Sequence, residues 1–182
     1  GGLLCTEFGM GKTVMCAHLM NKHPGRTLIV TKVTLLDQWK AEIEKACPGL
    51  AVNVYHGQKR KGAAASEVIV TTYGILRLEM DRLDQWGDFR RAIFDESHTL
   101  KRQSTKVHKA ATSVRAKHKW LLTATPMEGS FEDLYGQLKV LYPFSRAMWE
   151  SLFVQDKGAF WQLLKRLCWR NTRSQRYADG SL

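Results

Sequence analysis

Residues 3–13 read Leu-Leu-Cys-Thr-Glu-Phe-Gly-Met-Gly-Lys-Thr, a short apolar run followed by a glycine-rich loop and the start of a helical pattern. Successive backbone N–H groups and the helix N-terminus can cradle a phosphate there, the ammonium of Lys12 can reach it, and the hydroxyl of Thr13 can bind Mg²⁺. An ordinary glycine-rich turn is the alternative, because the strict motif has glycine where Thr6 stands. The candidate phosphate-binding residues are Gly9, Met10, Gly11, Lys12, Thr13 and Val14.

The rest of the chain alternates short apolar runs with helical patterns. Each run has the length of a strand that is buried on both faces. The predicted strands are Leu3–Cys5, Thr27–Thr31, Val52–Tyr55, Val68–Thr71, Ala92–Phe94 and Trp120–Thr123. The predicted helices are Thr13–Asn21, Leu35–Ala46, Thr105–Val114 and Phe131–Leu141. This alternation predicts an α/β fold, a mostly parallel sheet with helices on both faces.

Two carboxylates follow the predicted strand Ala92–Phe94. Asp95 and Glu96 stand at its carboxyl end, the edge where open parallel sheets bind their ligands. Asp95 can hold Mg²⁺ through a water molecule, and Glu96 can polarise an attacking water as the hydrolytic base. An Asp-rich turn is the alternative for this segment alone, but the phosphate loop upstream favours the functional interpretation.

Two hydroxyl side chains end the last predicted strand, within the stretch 121–126 that closes on Thr-Ala-Thr-Pro. Such a turn can place Thr123 and Thr125 near the terminal phosphate of a nucleotide, where they can sense whether the site is occupied. Two solvent-exposed threonines at a strand exit are the alternative. The spacing of the three segments leaves room for intervening βα units, so we expect all three at one nucleotide site.

The composition favours an anionic partner. Lys and Arg number 28 against 17 Asp and Glu, which gives the 182 residues a formal charge of +11. The sequence pI is near 9.7, and a polyanion such as nucleic acid attracts such a chain. A charge that serves solubility alone is the alternative.

The cysteines indicate the compartment. Cys5, Cys16, Cys47 and Cys168 form no CxxC pair, which argues against a zinc site or a disulfide framework. We expect an intracellular protein, in nucleus or cytoplasm depending on the host, and not a secreted one. No apolar run reaches the roughly 20 residues that span a bilayer, so no membrane partner is expected. The chain starts directly ahead of the phosphate loop, and we interpret it as part of a longer protein.

Together these segments resemble the Swi/Snf-type branch of the superfamily-two helicases and translocases, over nearly the whole chain. Residues 1–13 are similar to that family's first motif, 95–98 to its acidic box and 122–126 to its coupling motif. Residues 28–39 and 68–73 are similar to two blocks that are implied to contact the nucleic-acid backbone. The resemblance therefore implies nucleic-acid contacts for Lys32, Thr71 and Thr72, and coupling roles for His98, Thr123 and Thr125.

Three positions depart from the family pattern. Thr6 stands where Asp is common, Gly129 replaces a usual Asn, and Asn171 stands where a second Arg is usual. These departures weaken the transfer of the family's residue roles to the three positions. The ATP site keeps its motif residues.

The resemblance implies the first lobe of a two-lobed, RecA-like P-loop ATPase that uses ATP with Mg²⁺ and moves on double-stranded DNA. Residues 1–143 would form that lobe, and residues 144–182 a helical extension that closes it and begins the linker to a second lobe. By resemblance, the adenine-reading segment and the arginine fingers lie outside these residues. The 182 residues alone should then hydrolyse ATP weakly or not at all.

Three other functions stay open at this point: a strand-separating helicase on DNA or RNA, a non-catalytic nucleotide-dependent scaffold, and a P-loop kinase. The intact Lys12 and Glu96 argue against a scaffold, and a kinase leaves the Thr-Ala-Thr-Pro segment unexplained. Trp39, at helical spacing, is interpreted as a core residue. Further candidate nucleic-acid contacts are Lys59, Arg60, Lys61, Lys101, Arg102, Lys106 and Lys109.

Overall fold

A seven-stranded sheet forms the centre of the computed structural model, which describes residues 1–58, 60–62, 65–172 and 174. The strands are β1 (Gly2–Thr6), β2 (Thr27–Thr31), β3 (Val52–Val54), β4 (Val68–Thr72), β5 (Phe89–Asp95), β6 (Ala116–Thr123) and β7 (Cys168–Asn171). Their order across the sheet is β3-β4-β2-β5-β6-β1-β7, and each pairing is parallel. The six predicted strands are confirmed, and β7 is an addition.

Seven α-helices connect or flank the strands in the described part of the chain. They are α1 (Lys12–Lys22), α2 (Leu36–Ala46), α3 (Tyr73–Leu78), α4 (Lys106–Ser113), α5 (Phe131–Leu141), α6 (Arg146–Glu150) and α7 (Lys157–Leu167). Short 3₁₀ turns span Val33–Leu35, Met80–Trp86 and Ser97–Leu100, and a π-helical turn spans Ser151–Gln155. The four predicted helices are confirmed, whereas α3 is too short to show a helical period in the sequence.

The sheet is apolar on both faces because successive side chains of a buried strand point in opposite directions. On one face, Ile29 and Ile93 belong to a core cluster with Trp39 of α2 and Met20 of α1. On the other face, strand residues pack with side chains of α3, α4 and α5, among them Leu28, Phe94, Leu76, Ala110 and Leu138. The predicted α/β fold with helices on both faces is therefore confirmed.

The segment after Pro143 packs against the second of these faces through aromatic side chains. Trp149 is 1% exposed, and its ring centre lies 5.1 Å from that of Tyr135 and 5.3 Å from that of Phe160. The chain then continues into β7, which pairs with β1 and forms one edge of the sheet. The predicted extension is thus helical up to Leu167 and ends in a strand. The boundary at residue 143 stays a prediction, and most of the predicted linker lies outside the described residues.

Because every strand is parallel, the carboxyl ends of β1, β2, β4, β5 and β6 meet at one edge of the sheet. The predicted functional residues follow or end these same strands, so the topology gathers them at that edge. No helix in the described part of the chain is long and apolar enough to cross a membrane.

Candidate nucleotide site

The loop between β1 and α1 has the backbone of a phosphate-binding loop. Gly9 and Gly11 have φ angles of 78° and 76°, a left-handed conformation that glycine adopts without a steric penalty. Gly11 immediately precedes α1. The first N–H groups of a helix have no intrahelical acceptor and carry a partial positive charge, so this terminus can receive an anion.

The side chain of Lys12 lies across this loop. Its Nζ donates to the carbonyl oxygen of Thr6 at 2.7 Å and to that of Glu7 at 3.3 Å. It also lies 5.2 Å from the centre of the Phe8 ring. These acceptors are neutral, and a phosphate can replace them because its negative charge adds a Coulomb attraction to the ammonium.

Lys12 and Thr13 line a cavity of about 320 Å³ together with Asp95 and Glu96. The loop comes from β1 and the carboxylates from the end of β5, with β6 between these strands in the sheet. Gly9, Gly11 and Val14 line the same cavity, and Met10 is half-buried in the loop between them. The structure therefore brings the predicted phosphate loop and the predicted acidic pair to one site.

The carboxylate of Asp95 is buried and accepts three hydrogen bonds. Its Oδ2 accepts from the hydroxyl of Thr31 and from the indole N–H of Trp39, each at 2.9 Å, and its Oδ1 accepts from the N–H of Glu96 at 3.0 Å. Its backbone carbonyl accepts from the hydroxyl of Tyr73 at 2.6 Å. Three elements, β2, α2 and the start of α3, thus fix this residue.

Glu96 has a φ angle of 52° and is the one non-glycine residue with a positive φ in the described part of the chain. Such backbone costs of the order of 1–3 kcal/mol and is often found at functional sites. The Oε2 atom of Glu96 lies 3.2 Å from Nδ1 of His98 and 3.8 Å from Nζ of Lys32. Glu96, the candidate hydrolytic base, therefore lies close to His98, a candidate coupling residue, and to Lys32, a candidate nucleic-acid contact.

A buried chain of hydrogen bonds joins the acidic box to the segment around Pro126. Ser97 donates from Oγ to Oε1 of Gln137 at 2.8 Å, and Nε2 of Gln137 donates to the carbonyl of Pro126 at 2.6 Å. In the same segment, Thr123 is buried and its hydroxyl accepts from the N–H of Thr125 at 3.1 Å. The two predicted coupling segments are in contact through a glutamine.

Sequence reasoning missed three residues of this site: Thr31, Tyr73 and Gln137. Each is buried. Thr31 and Tyr73 donate hydrogen bonds to Asp95, and Gln137 accepts one from Ser97. A polar side chain inside an apolar run was the available signal, as in Leu134-Tyr-Gly-Gln137-Leu138. A buried polar group needs a partner, but the sequence does not name that partner.

A family model described as the SNF2-related domain matches residues 1–179. The chain belongs to the SNF2-related domain family. Among solved structures, it is similar to the "Sulfolobus solfataricus SWI2/SNF2 ATPase core in complex with dsDNA", with a TM-score of 0.80 and 24% identity over 96% of this chain and 41% of that one. The "Sulfolobus solfataricus SWI2/SNF2 ATPase core domain" gives a TM-score of 0.76 and 25% identity over 96% of this chain and 40% of that one. The RecA-like fold predicted from the resemblance is confirmed.

Curated relatives point to the same family. The chain is 33% identical to the DNA repair protein RAD5 of Kluyveromyces lactis over 99% of this chain and 22% of that protein. It is 36% identical to the DNA repair protein RAD5A of Arabidopsis thaliana over 86% of this chain and 18% of that protein. It is 34% identical to transcription termination factor 2 of Drosophila melanogaster over 87% of this chain and 16% of that protein. This SNF2-related domain thus spans about a fifth of the length of these relatives.

The SNF2-related domain exposes its predicted nucleic-acid residues to different degrees. The side chain of Lys32, directly after β2, is 51% exposed. Thr71 is fully buried, and its hydroxyl donates to the carbonyl of Tyr55 at 2.7 Å. No part of Thr71 reaches the surface of this lobe, and its predicted nucleic-acid contact stays a prediction. Thr72 is 7% exposed and its hydroxyl accepts from the N–H of Ile75, so it caps α3, and its nucleic-acid contact stays a prediction.

The further basic candidates also differ. Arg60 lies 3.3 Å from the largely buried carboxylate of Glu79, which gives it a structural partner. Lys101 pairs with Glu128. Lys59 lies outside the described residues. The exposed candidates are Lys61, Arg102, Lys106 and Lys109.

Proposed function

We propose that this chain is the ATP-binding lobe of a DNA-dependent ATPase that translocates on double-stranded DNA. The observation that carries the proposal is the shared cavity of the phosphate loop and the acidic box, with Lys12, Thr13, Asp95 and Glu96 in its lining. Membership of the SNF2-related family supports ATP use. The similarity to a SWI2/SNF2 ATPase core in complex with dsDNA supports duplex DNA as the partner.

The donor atoms of the cavity fit a magnesium ion. Among the described residues, no group of three His, Cys, Asp or Glu side chains forms a metal site, so a protein cage for a transition metal is not present there. The hydroxyl of Thr13 and the carboxylate of Asp95 are hard oxygen donors in one cavity. Mg²⁺ usually takes one or two protein ligands and completes its shell with waters and phosphates. When bound, it would neutralise charge on the phosphates.

Each residue of the site then has its own role in ATP binding and hydrolysis. The loop N–H groups and Lys12 bind the phosphates, with Lys12 exchanging its carbonyl acceptors for phosphate oxygens. Asp95 and the hydroxyl of Thr13 would hold the metal ion, Asp95 through a water molecule. Glu96 accepts a hydrogen bond from the attacking water and takes up its proton. The imidazole of His98 lies beside the carboxylate of Glu96, with 3.2 Å between Nδ1 and Oε2.

The buried chain from Ser97 through Gln137 to Pro126 supports a coupling role for this edge of the sheet. A change at the terminal phosphate alters the acidic box, and the hydrogen bonds carry that change to the segment containing Thr125. A second lobe with arginine fingers would complete the cleft. The DNA repair relatives support a nuclear location in hosts that have a nucleus.

Binding of Mg·ATP by the 182-residue chain tests this proposal. Lys12→Ala is expected to weaken binding at least tenfold, measured with a fluorescent ATP analogue. Lys22→Ala is the matched control, because Lys22 is an exposed residue at the far end of the same helix. Equal affinities of the two variants would contradict the assignment of the site.

A further inference from the structure

Residues 28–39, which resemble a family block, contact the nucleotide site through a pair of hydrogen bonds to one oxygen atom. Thr31 ends β2 and Trp39 lies in the first turn of α2. Both donate to Oδ2 of Asp95, at 2.9 Å each. The three residues are 0%, 1% and 6% exposed, so water competes little for these bonds.

Two donors on one buried oxygen fix the direction of the carboxylate. A carboxylate can otherwise rotate about its last torsion, which has a broad and roughly two-fold energy profile. Hydrogen bonds to an ionised acceptor are among the strong ones in a protein. Asp95 also lines the cavity with Thr13, so its direction decides how its oxygens meet a ligand there.

Packing alone does not require these donors. Trp39 belongs to the apolar cluster on the α1 and α2 face, where its ring fills space beside Ile43. A phenylalanine supplies a similar aromatic surface, and a valine has the shape of threonine. The indole N–H and the hydroxyl are therefore the parts of these side chains that packing leaves unexplained.

We infer that Trp39 and Thr31 are positioning residues that hold the carboxylate of Asp95 for Mg·nucleotide binding. The inference rests on the proposed function, in which the carboxylate of Asp95 holds Mg²⁺ through a water molecule. It assigns Trp39 a second role beside the core role predicted from the sequence. The exposed Lys32 follows Thr31 directly and its Nζ lies 3.8 Å from Oε2 of Glu96. The segment 31–39 thus contacts both carboxylates of the acidic box.

The test is the Mg²⁺ dependence of nucleotide binding by the 182-residue chain, followed with a fluorescent ATP analogue at increasing Mg²⁺. Residues that orient metal ligands typically change metal affinity about 10–100-fold when they are replaced. Trp39→Phe and Thr31→Val should each raise the Mg²⁺ concentration needed for half-maximal binding about tenfold. Nucleotide binding by Thr31→Val without Mg²⁺ should change less than its Mg²⁺ dependence, because Thr31 is not among the residues that line the cavity.

Two controls separate positioning from packing. Trp149→Phe removes the same volume from a side chain that is equally buried, at 1% exposure, in the cluster on the opposite face of the sheet. It should lower stability without moving the Mg²⁺ dependence. Thr31→Ser keeps the hydroxyl and should retain the wild-type Mg²⁺ dependence, which tests the inference even if Trp39→Phe does not fold.

Asp95→Asn separates the inference from the proposed function. A wild-type Mg²⁺ dependence in Asp95→Asn would overturn the role of Asp95 in holding Mg²⁺ and the inference with it. If Asp95→Asn loses the Mg²⁺ dependence while Thr31→Val and Thr31→Ser behave alike, the inference alone is overturned, and Thr31 and Trp39 serve packing only. A shift in Thr31→Val that Thr31→Ser does not show supports the inference.

Discussion

Thr6 and Asn171 are partners in the register between β1 and β7. Each stands at a position where the chain departs from the family pattern, which has Asp at the first and Arg at the second. Side chains of partner residues on adjacent strands project to the same face of the sheet. The two departures therefore lie side by side, and this chain has a neutral pair where an acid and a base would meet. Within the described residues, the buried hydroxyl of Thr6 has no hydrogen-bond partner.

This relationship predicts coupled effects of substitution at the two positions. Thr6→Asp alone should destabilise the chain by about 1–3 kcal/mol, because it puts a carboxylate at a fully buried position beside the neutral Asn171, with Lys12 bonded to the backbone nearby. Adding Asn171→Arg should recover about 0.5–3 kcal/mol, the usual range for coupled residues. Urea unfolding of the two single variants and the double variant measures this coupling. Strictly additive effects would mean that the side chains do not meet.

Lys32 is expected to contact the backbone of duplex DNA. Its pair with Glu96 is half-exposed on the lysine side, and such pairs contribute about 0–1 kcal/mol to stability. Lys32→Ala should therefore leave the unfolding free energy almost unchanged and weaken DNA binding. The log–log slope of affinity against salt should fall by about 0.9 if one phosphate contact is lost.

Lys40→Ala is the matched control for this measurement, because Lys40 is an exposed lysine of α2 that pairs with Glu44. Its salt slope should equal that of the wild type. A slope for Lys32→Ala that also equals the wild-type slope would remove Lys32 from the DNA contact.

His108 makes stability depend on pH. It is buried, and its Nε2 lies 2.9 Å from the carbonyl of Gly136. Burial lowers the pKa of His108 below its ordinary value of 6.5; the contact with Gly136 opposes this shift, and the charges of Lys139 and Lys119 add to it. The unfolded chain thus takes up the proton at a higher pH than the folded chain, so this contribution to stability is complete above pH 6.5 and is lost as the pH falls through the folded pKa.

Urea unfolding between pH 7.5 and 5 measures this effect. The unfolding free energy should fall with pH more steeply in the wild type than in His108→Gln, whose amide can still donate to Gly136. His18→Gln replaces an exposed histidine and should keep the wild-type steepness. Identical profiles for wild type and His108→Gln would contradict the assignment.

The sequence predicts the fold where local pattern is strong. β2 and β4 are buried at every residue, so their apolar runs are visible without a partner. β7 is different: Trp169 and Arg170 are exposed, and the strand exists because β1 offers it a pairing edge. Such a long-range partner leaves no mark in the local pattern.

In the candidate site, too, some residues could be predicted from the sequence and others could not. Lys12 and Asp95 could be placed because a parallel sheet brings its strand ends to one edge. For Thr71 the sequence leaves the role open, because every residue of β4 is buried and the family resemblance does not say which of them reach the nucleic acid. The contacts of Trp39 and Gln137 join residues far apart in sequence, and no local pattern encodes them.

The central claim is that this lobe binds ATP and contributes Glu96 as the base of a DNA-dependent ATPase. The most direct measurement is steady-state ATP hydrolysis with and without duplex DNA, by the 182-residue chain alone and by a protein in which a second lobe follows it. The chain alone should hydrolyse ATP poorly, because arginine fingers contribute about 10³–10⁵-fold to turnover in related chemistry. The two-lobed protein should be stimulated by DNA, and Glu96→Gln should reduce its turnover by about 10²–10⁴-fold while Mg·ATP still binds. Near-wild-type turnover in Glu96→Gln, or DNA-stimulated turnover of the order of 1 s⁻¹ by the chain alone, would contradict the account.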